Sequence, residues 1–334
     1  MTISSHRKIR WGILSSANIG TSKVIPAIQQ SLFGEVAAIA SRSLDTARNA
    51  AAPLQIPQAY GSYEELLADD NIDANYNPLP NHLHVEWSIR ALEAGKHVLC
   101  EKPIGLTASE GEVLLEAAHR HPRQKVMEAF MYRHHPQWQH SRRLIESGAI
   151  GKLRTIQSAF CYNNTDPANI RNRKEYGGGG LMDIGCYNIS LSRFLYGTEP
   201  IRVMGTIEFD PEFGTDRLCS AIMEFEQGTS SFICSTQAAP YQRVNAMGAA
   251  GRIEIHVPFN APPDEACSVW LQDDRGLHHW QSEPCDQYTV QSDLFCKAIL
   301  EDTEVPTPLE DAVANMRVIE AIMQSARQES WVTL

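Results

Sequence analysis

Three residues, far apart in this 334-residue chain, could together move a proton and a hydride: a lysine, a tyrosine and an aspartate. The lysine is Lys102, in the stretch HVLCEKP from His97 to Pro103. His97-Val98-Leu99-Cys100 reads as a buried strand that ends in the charged pair Glu101-Lys102. Such a pair packs poorly but suits a ligand, because open parallel sheets bind ligands beyond the carboxyl ends of their strands. Pro103 removes a backbone donor and disfavours helical geometry at Lys102. Asp183 and Tyr187 stand four apart at the start of a helical pattern, so they share a face. The run Gly177–Gly180 before them reads as flexible backbone at the entrance of a site. A phenol titrates near about 10, and a nearby ammonium favours its anion. The Lys–Tyr pair could therefore take a hydroxyl proton as hydride leaves, or return it in the reverse direction. Asp183 could orient the substrate hydroxyl or hold Lys102. Each residue also has a plainer reading: Lys102 as a solvated strand end, Asp183 as a helix cap, Tyr187 as a packing tyrosine.

The elements before Lys102 are those of a dinucleotide fold. IRWGIL (9–14) reads as a strand, SSANIG as a turn, 21–31 as a helix and EVAAIASRS (35–43) as a second strand with its end. This is a βαβ unit. In the turn, Ser15 and Ala17 replace the first two fingerprint glycines, Asn18 and Ile19 follow, and Gly20 keeps the third. The small side chains still admit a pyrophosphate, and the following helix offers its amide end to it. NAD-binding folds carry an acid at the second strand's end, about twenty residues past the glycines. Here stand Ser41, Arg42 and Ser43. A guanidinium and two hydroxyls suit a 2′-phosphate, so NADP is favoured, with NAD possible. Further on, Pro78-Leu79-Pro80 is a rigid turn, Asn81 reads as the N-cap of a helix closed by Gly95, and a helix at 107–121 and the strand KVMEAFMYR follow. Asn75 is an odd residue inside an apolar strand.

After about Gly151 the pattern alternates polar and apolar residues, as half-buried antiparallel strands do. The runs are KLRTIQSAFCYN, 201–209, 217–226, 229–237, 241–247 and 267–273. One helix, LMDIGCYNISLSRFLYG, lies among them, and helices at 288–301 and 309–328 finish the chain. The expected architecture is α/β: an N-terminal Rossmann doubly wound parallel sheet, plus a C-terminal α+β domain with a large, mostly antiparallel open sheet. The expected domains are 1–135, binding NADP, 136–308, for substrate and oligomerisation, and a C-terminal helix and tail at 309–334.

Charged residues make up 21% of the chain and hydrophobic ones 43%, with a net charge of −11. That balance excludes a basic nucleic-acid or anionic-membrane surface. No stretch has the apolar length of a membrane span, and the first residues make a better strand than a leader peptide. Eight scattered cysteines without CxxC point to reduced thiols in the cytoplasm. His82-x-His84, His134-His135 and His278-His279 lack a third convergent ligand, so no metal is expected.

The order of motifs resembles the glucose–fructose oxidoreductase/inositol dehydrogenase/rhizopine-catabolism (Gfo/Idh/MocA) family nearly end to end. The carriers are YNPLPNHLHVEWSIRALEAGKHVLCEKP, EAFMYRHHPQ, GGGGLMDIGCYNISLSRFLYG and AVANMRVIEAIMQSAR. Within the family the chain is most similar to NADP-dependent D-xylose dehydrogenases and trans-dihydrodiol dehydrogenases. The resemblance implies hydride transfer between NADP and a hydroxyl or carbonyl of a sugar, cyclic polyol or diol. The alternatives are a keto-sugar reductase running in reverse and a non-catalytic NADP-binding regulator. Retention of Lys102 and Tyr187 speaks against the regulator. By resemblance, Lys102 and Tyr187 are catalytic with Asp183 beside them, Pro78, Asn81 and His82 run under the nicotinamide, and Glu101 bonds near its ribose. Arg133, Asn169 and Arg171 lie where related proteins contact the sugar or diol. The resemblance also implies a homodimer or homotetramer formed through the open sheet face. Ser15, Asn75 and Asn188 depart from the family pattern.

Overall fold

The computed structural model describes residues 7–334; the leader question concerns residues 1–6, which lie outside them. The chain divides into two compact units. The first runs to Met131 and includes Tyr288–Val313; the second holds Tyr132–Gln287 and Ala314–Leu334.

In the first unit, strands β1 (Ile9–Leu14), β2 (Gly34–Ala40), β3 (Gln58–Tyr60), β4 (Ala74–Asn77), β5 (His97–Cys100) and β6 (Val126–Glu128) alternate with helices. The helices are α1 (Ile25–Gln29), α2 (Leu44–Ala51), α3 (Tyr63–Leu67), α4 (His84–Glu93) and α5 (Ala108–Arg120). The strands pair in parallel in the order β3-β2-β1-β4-β5-β6. β1 has β2 on one side and β4 on the other, so the strand order reverses there, where such sheets bind ligands. Strands covered on both faces read as continuous apolar runs, which is why IRWGIL is buried at five of its six positions.

Three local expectations change. The helix after β1 starts at residue 18 and opens with a π-helical stretch, Gly20–Val24, before α1. Pro26 has no amide for an α-helical ladder, and Ile25 N–H reaches back to the Gly20 carbonyl instead. KVMEAFMYR is strand only over β6; a 3₁₀ turn follows at Met131–His134. Asn81 does not cap α4: it opens a 3₁₀ turn, Asn81–Leu83, and α4 begins at His84 with Leu83 as N-cap. Asn75 lies opposite Gly12, where an added Cβ would stand 2.7 Å from its Oδ1. Gly12 explains the room for that side chain; nothing in the structure explains the amide, which has no hydrogen-bond partner.

The second unit is built on a nine-stranded sheet. Its members are β7 (Leu153–Asn163), β8 (Arg202–Phe209), β9 (Asp216–Phe225), β10 (Gly228–Ser235), β11 (Gln237–Gly248), β12 (Arg252–Ile255), β13 (Ser268–Asp273), β14 (Gly276–Gln281) and β15 (Val332–Thr333). The order is β14-β13-β12-β11-β7-β10-β9-β8-β15. β7 and β10 pair in parallel and the other pairs are antiparallel. β12, β14 and β15 are additions to the strands expected from alternation. The helices are α6 (Pro136–Glu146) and α7 (Cys186–Tyr196). α7 is buried at all but one of its residues. On β9 and β10, Ile222 and Ile233 remain exposed.

Two helices close the chain, α8 (Gln287–Leu300) and α9 (Leu309–Gln328). The sequence assigns 288–308 to the second domain; the structure puts it in the first unit. Phe295 and Cys296 of α8 are fully buried in the same core as Trp11, whose ring lies 5.6 Å from that of Phe295. Thr289 Oγ1 also donates to the Ala27 carbonyl at 3.1 Å.

Candidate active site

In the first unit, three segments carrying expected site residues leave the carboxyl ends of β1, β4 and β5, which are neighbours in the sheet. After β1, Ser15 takes φ +92°, a conformation glycine adopts freely and serine does not. That turn is held from both sides: Ser15 N–H donates to the Ala40 carbonyl at 2.9 Å and its Oγ accepts from Ala17 N–H at 3.2 Å. The serine thus reproduces the backbone of the missing fingerprint glycine. Ser16, Ala17 and Ile19 are half-buried and Asn18 is exposed at the start of the following helix. At Gly20 a Cβ would make only ordinary contacts, at 3.6 Å to Tyr76 and 3.7 Å to Pro78. At the end of β2, Ser41 is buried, Arg42 is exposed, and Ser43 caps α2 by accepting from Thr46 N–H. Ser43 therefore has a structural role, and Arg42 is the exposed cation.

After β4, Asn77 is fully buried and ties down the Pro78-Leu79-Pro80 turn. Its Oδ1 accepts from Leu79 N–H at 3.3 Å, and its Nδ2 donates to the His84 carbonyl at 3.0 Å and to Ser88 Oγ at 3.1 Å. Asn81 and His82 follow, both half-buried. After β5, Glu101 N–H donates to the Asn77 carbonyl at 3.0 Å, which joins the second and third segments. Tyr76 donates its phenol to Glu101 Oε1 at 2.7 Å, and Lys102 N–H donates to Glu101 Oε2 at 3.3 Å. Lys102 is half-buried and the Lys102–Pro103 bond is cis. These residues fit a dinucleotide: a tight turn leading into a helix start, and an exposed guanidinium where a carboxylate would repel a 2′-phosphate.

In the second unit the centre is Asp183. It sits inside a π-helical turn, Leu181–Gly185, ahead of α7, past the N-cap position, which is Gly180. Oδ2 accepts from the Tyr162 phenol at 2.7 Å and from Arg171 Nε at 2.9 Å. Burial first, then the charge of Asp183, raises the Tyr162 phenol far above the usual range. Asp183 likewise holds Arg171 firmly protonated. Tyr187 is 6% exposed, packed among the rings of Tyr132, Phe160 and Phe259 at centroid distances of 5.7, 5.6 and 5.3 Å. Asn169 caps the 3₁₀ turn Ile170–Asn172 by accepting from Arg171 N–H. Arg133 is 5% exposed, with Nε and one Nη on Ser190 Oγ of α7 at 3.0 and 2.7 Å.

The glycine run is tightly packed rather than loose. Gly179 has φ +117°, and a Cβ there would fall 1.9 Å from Asp216 Oδ1. Asp216 accepts from Leu181 N–H at 2.6 Å, while burial raises its carboxyl to about 7 against the pull of the backbone amides. Sequence reasoning missed Asp216 and Tyr162, each paired across more than twenty positions. Tyr162 had one usable signal, its place two residues from Phe160 on the same strand face. Among the described residues no group of three or more His, Cys, Asp or Glu could hold a metal ion, and no helix is long and apolar enough to cross a membrane.

Residues 9–130 match the family described as an oxidoreductase family with NAD-binding Rossmann fold, and residues 138–256 match the GFO/IDH/MocA C-terminal domain. A relative named D-xylose 1-dehydrogenase (NADP(+)) 2, from Haloferax volcanii, is 38% identical over 97% of this chain and 99% of its own length. A trans-1,2-dihydrobenzene-1,2-diol dehydrogenase from Xenopus laevis is 34% identical over 74% of each chain. The solved structure of a 3-ketoreductase from Actinomadura kijaniata, in complex with NADP and TDP-benzene, superposes with a TM-score of 0.90. It is 28% identical over 96% of this chain and 98% of that one. The chain therefore belongs to the Gfo/Idh/MocA family of oxidoreductases, with an NAD-binding Rossmann domain at its N-terminus.

Proposed function

We propose that this protein is an NADP-dependent oxidoreductase acting on a CH–OH group of a sugar, cyclic polyol or diol. The observation that carries the reading is the trio of segments after β1, β4 and β5, with Lys102 at the last of them, at the reversal point of a parallel sheet. The preference for NADP rests on the exposed Arg42 where an acid would read NAD.

Bound NADP supplies the hydride acceptor, or as NADPH the donor. Ser15, Ala17, Asn18, Ile19 and Gly20 cradle the pyrophosphate, and Ser41, Arg42 and Ser43 line the 2′-phosphate. Pro78, Asn81, His82 and Glu101 hold the nicotinamide end. Tyr187 takes the hydroxyl proton, and Lys102 supplies an ammonium at the nicotinamide end. Asp183, with Arg171 and Tyr162 on one of its oxygens, orients the hydroxyl; Asn169 shapes the turn that carries Arg171. In the Actinomadura kijaniata enzyme, variants with a lysine replaced by alanine or glutamate, and one with a tyrosine replaced by phenylalanine, are complexed with NADP and TDP-benzene. That parallel supports separating cofactor binding from proton transfer here.

The reverse direction, reduction of a keto-sugar by NADPH, uses the same groups and is favoured by the likeness to a 3-ketoreductase. A cytoplasmic location agrees with eight cysteines outside any disulfide, seven of them buried. Assembly into a homodimer or homotetramer through the second unit's sheet agrees with the exposed Ile222 and Ile233. Light scattering of wild type and Ile222→Lys tests it, a lower mass being expected for the variant.

The functional test is nicotinamide absorbance with NADP or NAD and a panel of D-xylose, D-glucose, myo-inositol and a trans-dihydrodiol, followed by ketoses with NADPH. Turnover preferring NADP is expected. Tight NADP binding without turnover of any panel member in either direction would favour the regulator.

A further inference from the structure

His84 has no role in the chemistry above, yet its ring is 1% exposed and stands between two of the site segments. Nε2 lies 2.6 Å from the Leu79 carbonyl and Nδ1 lies 2.7 Å from the Pro103 carbonyl. Leu79 belongs to the turn after β4, and Pro103 is the residue after Lys102. The backbone carbonyl of His84 separately accepts from Asn77 Nδ2 at 3.0 Å. A carbonyl oxygen only accepts, so either ring nitrogen can bond its oxygen only as N–H. A neutral ring satisfies one of the two carbonyls at a time, and both tautomers keep the ring between the same two segments.

We infer that His84 is a positioning residue, a bridge that fixes the backbone bearing Lys102 against the Leu79 turn and so sets where the ammonium stands. The inference rests on the assignment of Lys102 as catalytic. Removal of the bridge lets the Lys102 segment shift without deleting any group that touches substrate. A displacement of about 1 Å at a reacting group costs up to roughly a hundred-fold in rate.

The test compares His84→Phe, which fills the volume and deletes both contacts, with His84→Gln, which keeps one amide donor. Each is made alone and together with Lys102→Ala. The readouts are kcat, KM for substrate and NADPH affinity by fluorescence. The expected result is a kcat lowered roughly ten- to hundred-fold by His84→Phe with KM changed far less, and part of the loss restored in His84→Gln. In the Lys102→Ala background, either His84 change should alter kcat by less than about three-fold, because residues that act through one another are not additive. Equal losses in both backgrounds would assign His84 a merely structural role and overturn the bridge. Normal kcat in folded His84→Phe would overturn it as well, leaving the assignment of Lys102 standing. Near-normal turnover in Lys102→Ala alone would overturn both. If His84→Phe does not fold, the same comparison is read from His84→Gln.

Discussion

In the proposed mechanism Lys102 and Tyr187 contribute different things to proton transfer, and single substitutions should separate them. Lys102→Ala should keep NADP affinity, as measured by fluorescence, and lower kcat by roughly two to four powers of ten. Turnover near wild type would remove Lys102 from the mechanism. Tyr187→Phe should lower kcat over a similar range while the ring stays packed among Tyr132, Phe160 and Phe259. A rate within a few-fold of wild type would move the proton to another group. Arg42→Asp should shift the ratio of kcat/KM for NADP over NAD by roughly ten-fold or more, since a charged hydrogen bond becomes a repulsion. An unchanged ratio would put the 2′-phosphate elsewhere. These residues stand out as candidates in the sequence because each sits in a local motif or at a strand end. The partners of Asp183 were not, since Tyr162 and Arg171 reach it by tertiary folding. The bond from the Arg133 guanidinium to Ser190 is likewise set by tertiary folding.

At the scale of elements, the two glycine-bearing turns behave oppositely to their appearance in sequence. The SSANIG turn lacks two fingerprint glycines, yet Ser15 adopts the required positive φ and bonds across the turn. The run of four glycines reads as loose, yet Gly179 is wedged against Asp216. Local composition reports freedom of the unfolded backbone; it does not report close approach from a strand far away in the chain. Gly179→Ala should therefore cost at least about 1–3 kcal/mol in urea unfolding from backbone conformation alone, and more from the clash with Asp216. Gly20→Ala, whose Cβ would meet only ordinary contacts, should leave the unfolding midpoint nearly unchanged. Equal effects of the two would contradict this packing.

Across the whole molecule, the alternation of strands and helices made the parallel sheet legible, and the period-two runs did the same for the antiparallel one. The boundary between units was less so, because α8 joins the first core through Phe295 and Cys296, a contact with no local signal. The molecule also carries a pH dependence. Burial lowers His84, His97, His134 and His135 from 6.5 to about 4. Between those values the unfolded chain binds protons at these positions that the folded chain does not, so stability falls as pH drops below 6.5. Asp216, raised to about 7, acts in the opposite sense: folded protein holds its proton through the same window. Four groups oppose one, so the melting temperature should fall between pH 7 and pH 5. A flat or rising profile would contradict the burial of the histidines.

The central claim is direct hydride transfer between NADP and a carbon bearing a hydroxyl. The measurement that tests it most directly uses whichever panel substrate is turned over, deuterated at that carbon. The deuterium should be recovered on the nicotinamide of the NADPH formed, and Lys102→Ala should slow its formation by roughly two to four powers of ten while NADP stays bound. NADPH formed without deuterium, or formed as fast by Lys102→Ala as by the wild type, would contradict it.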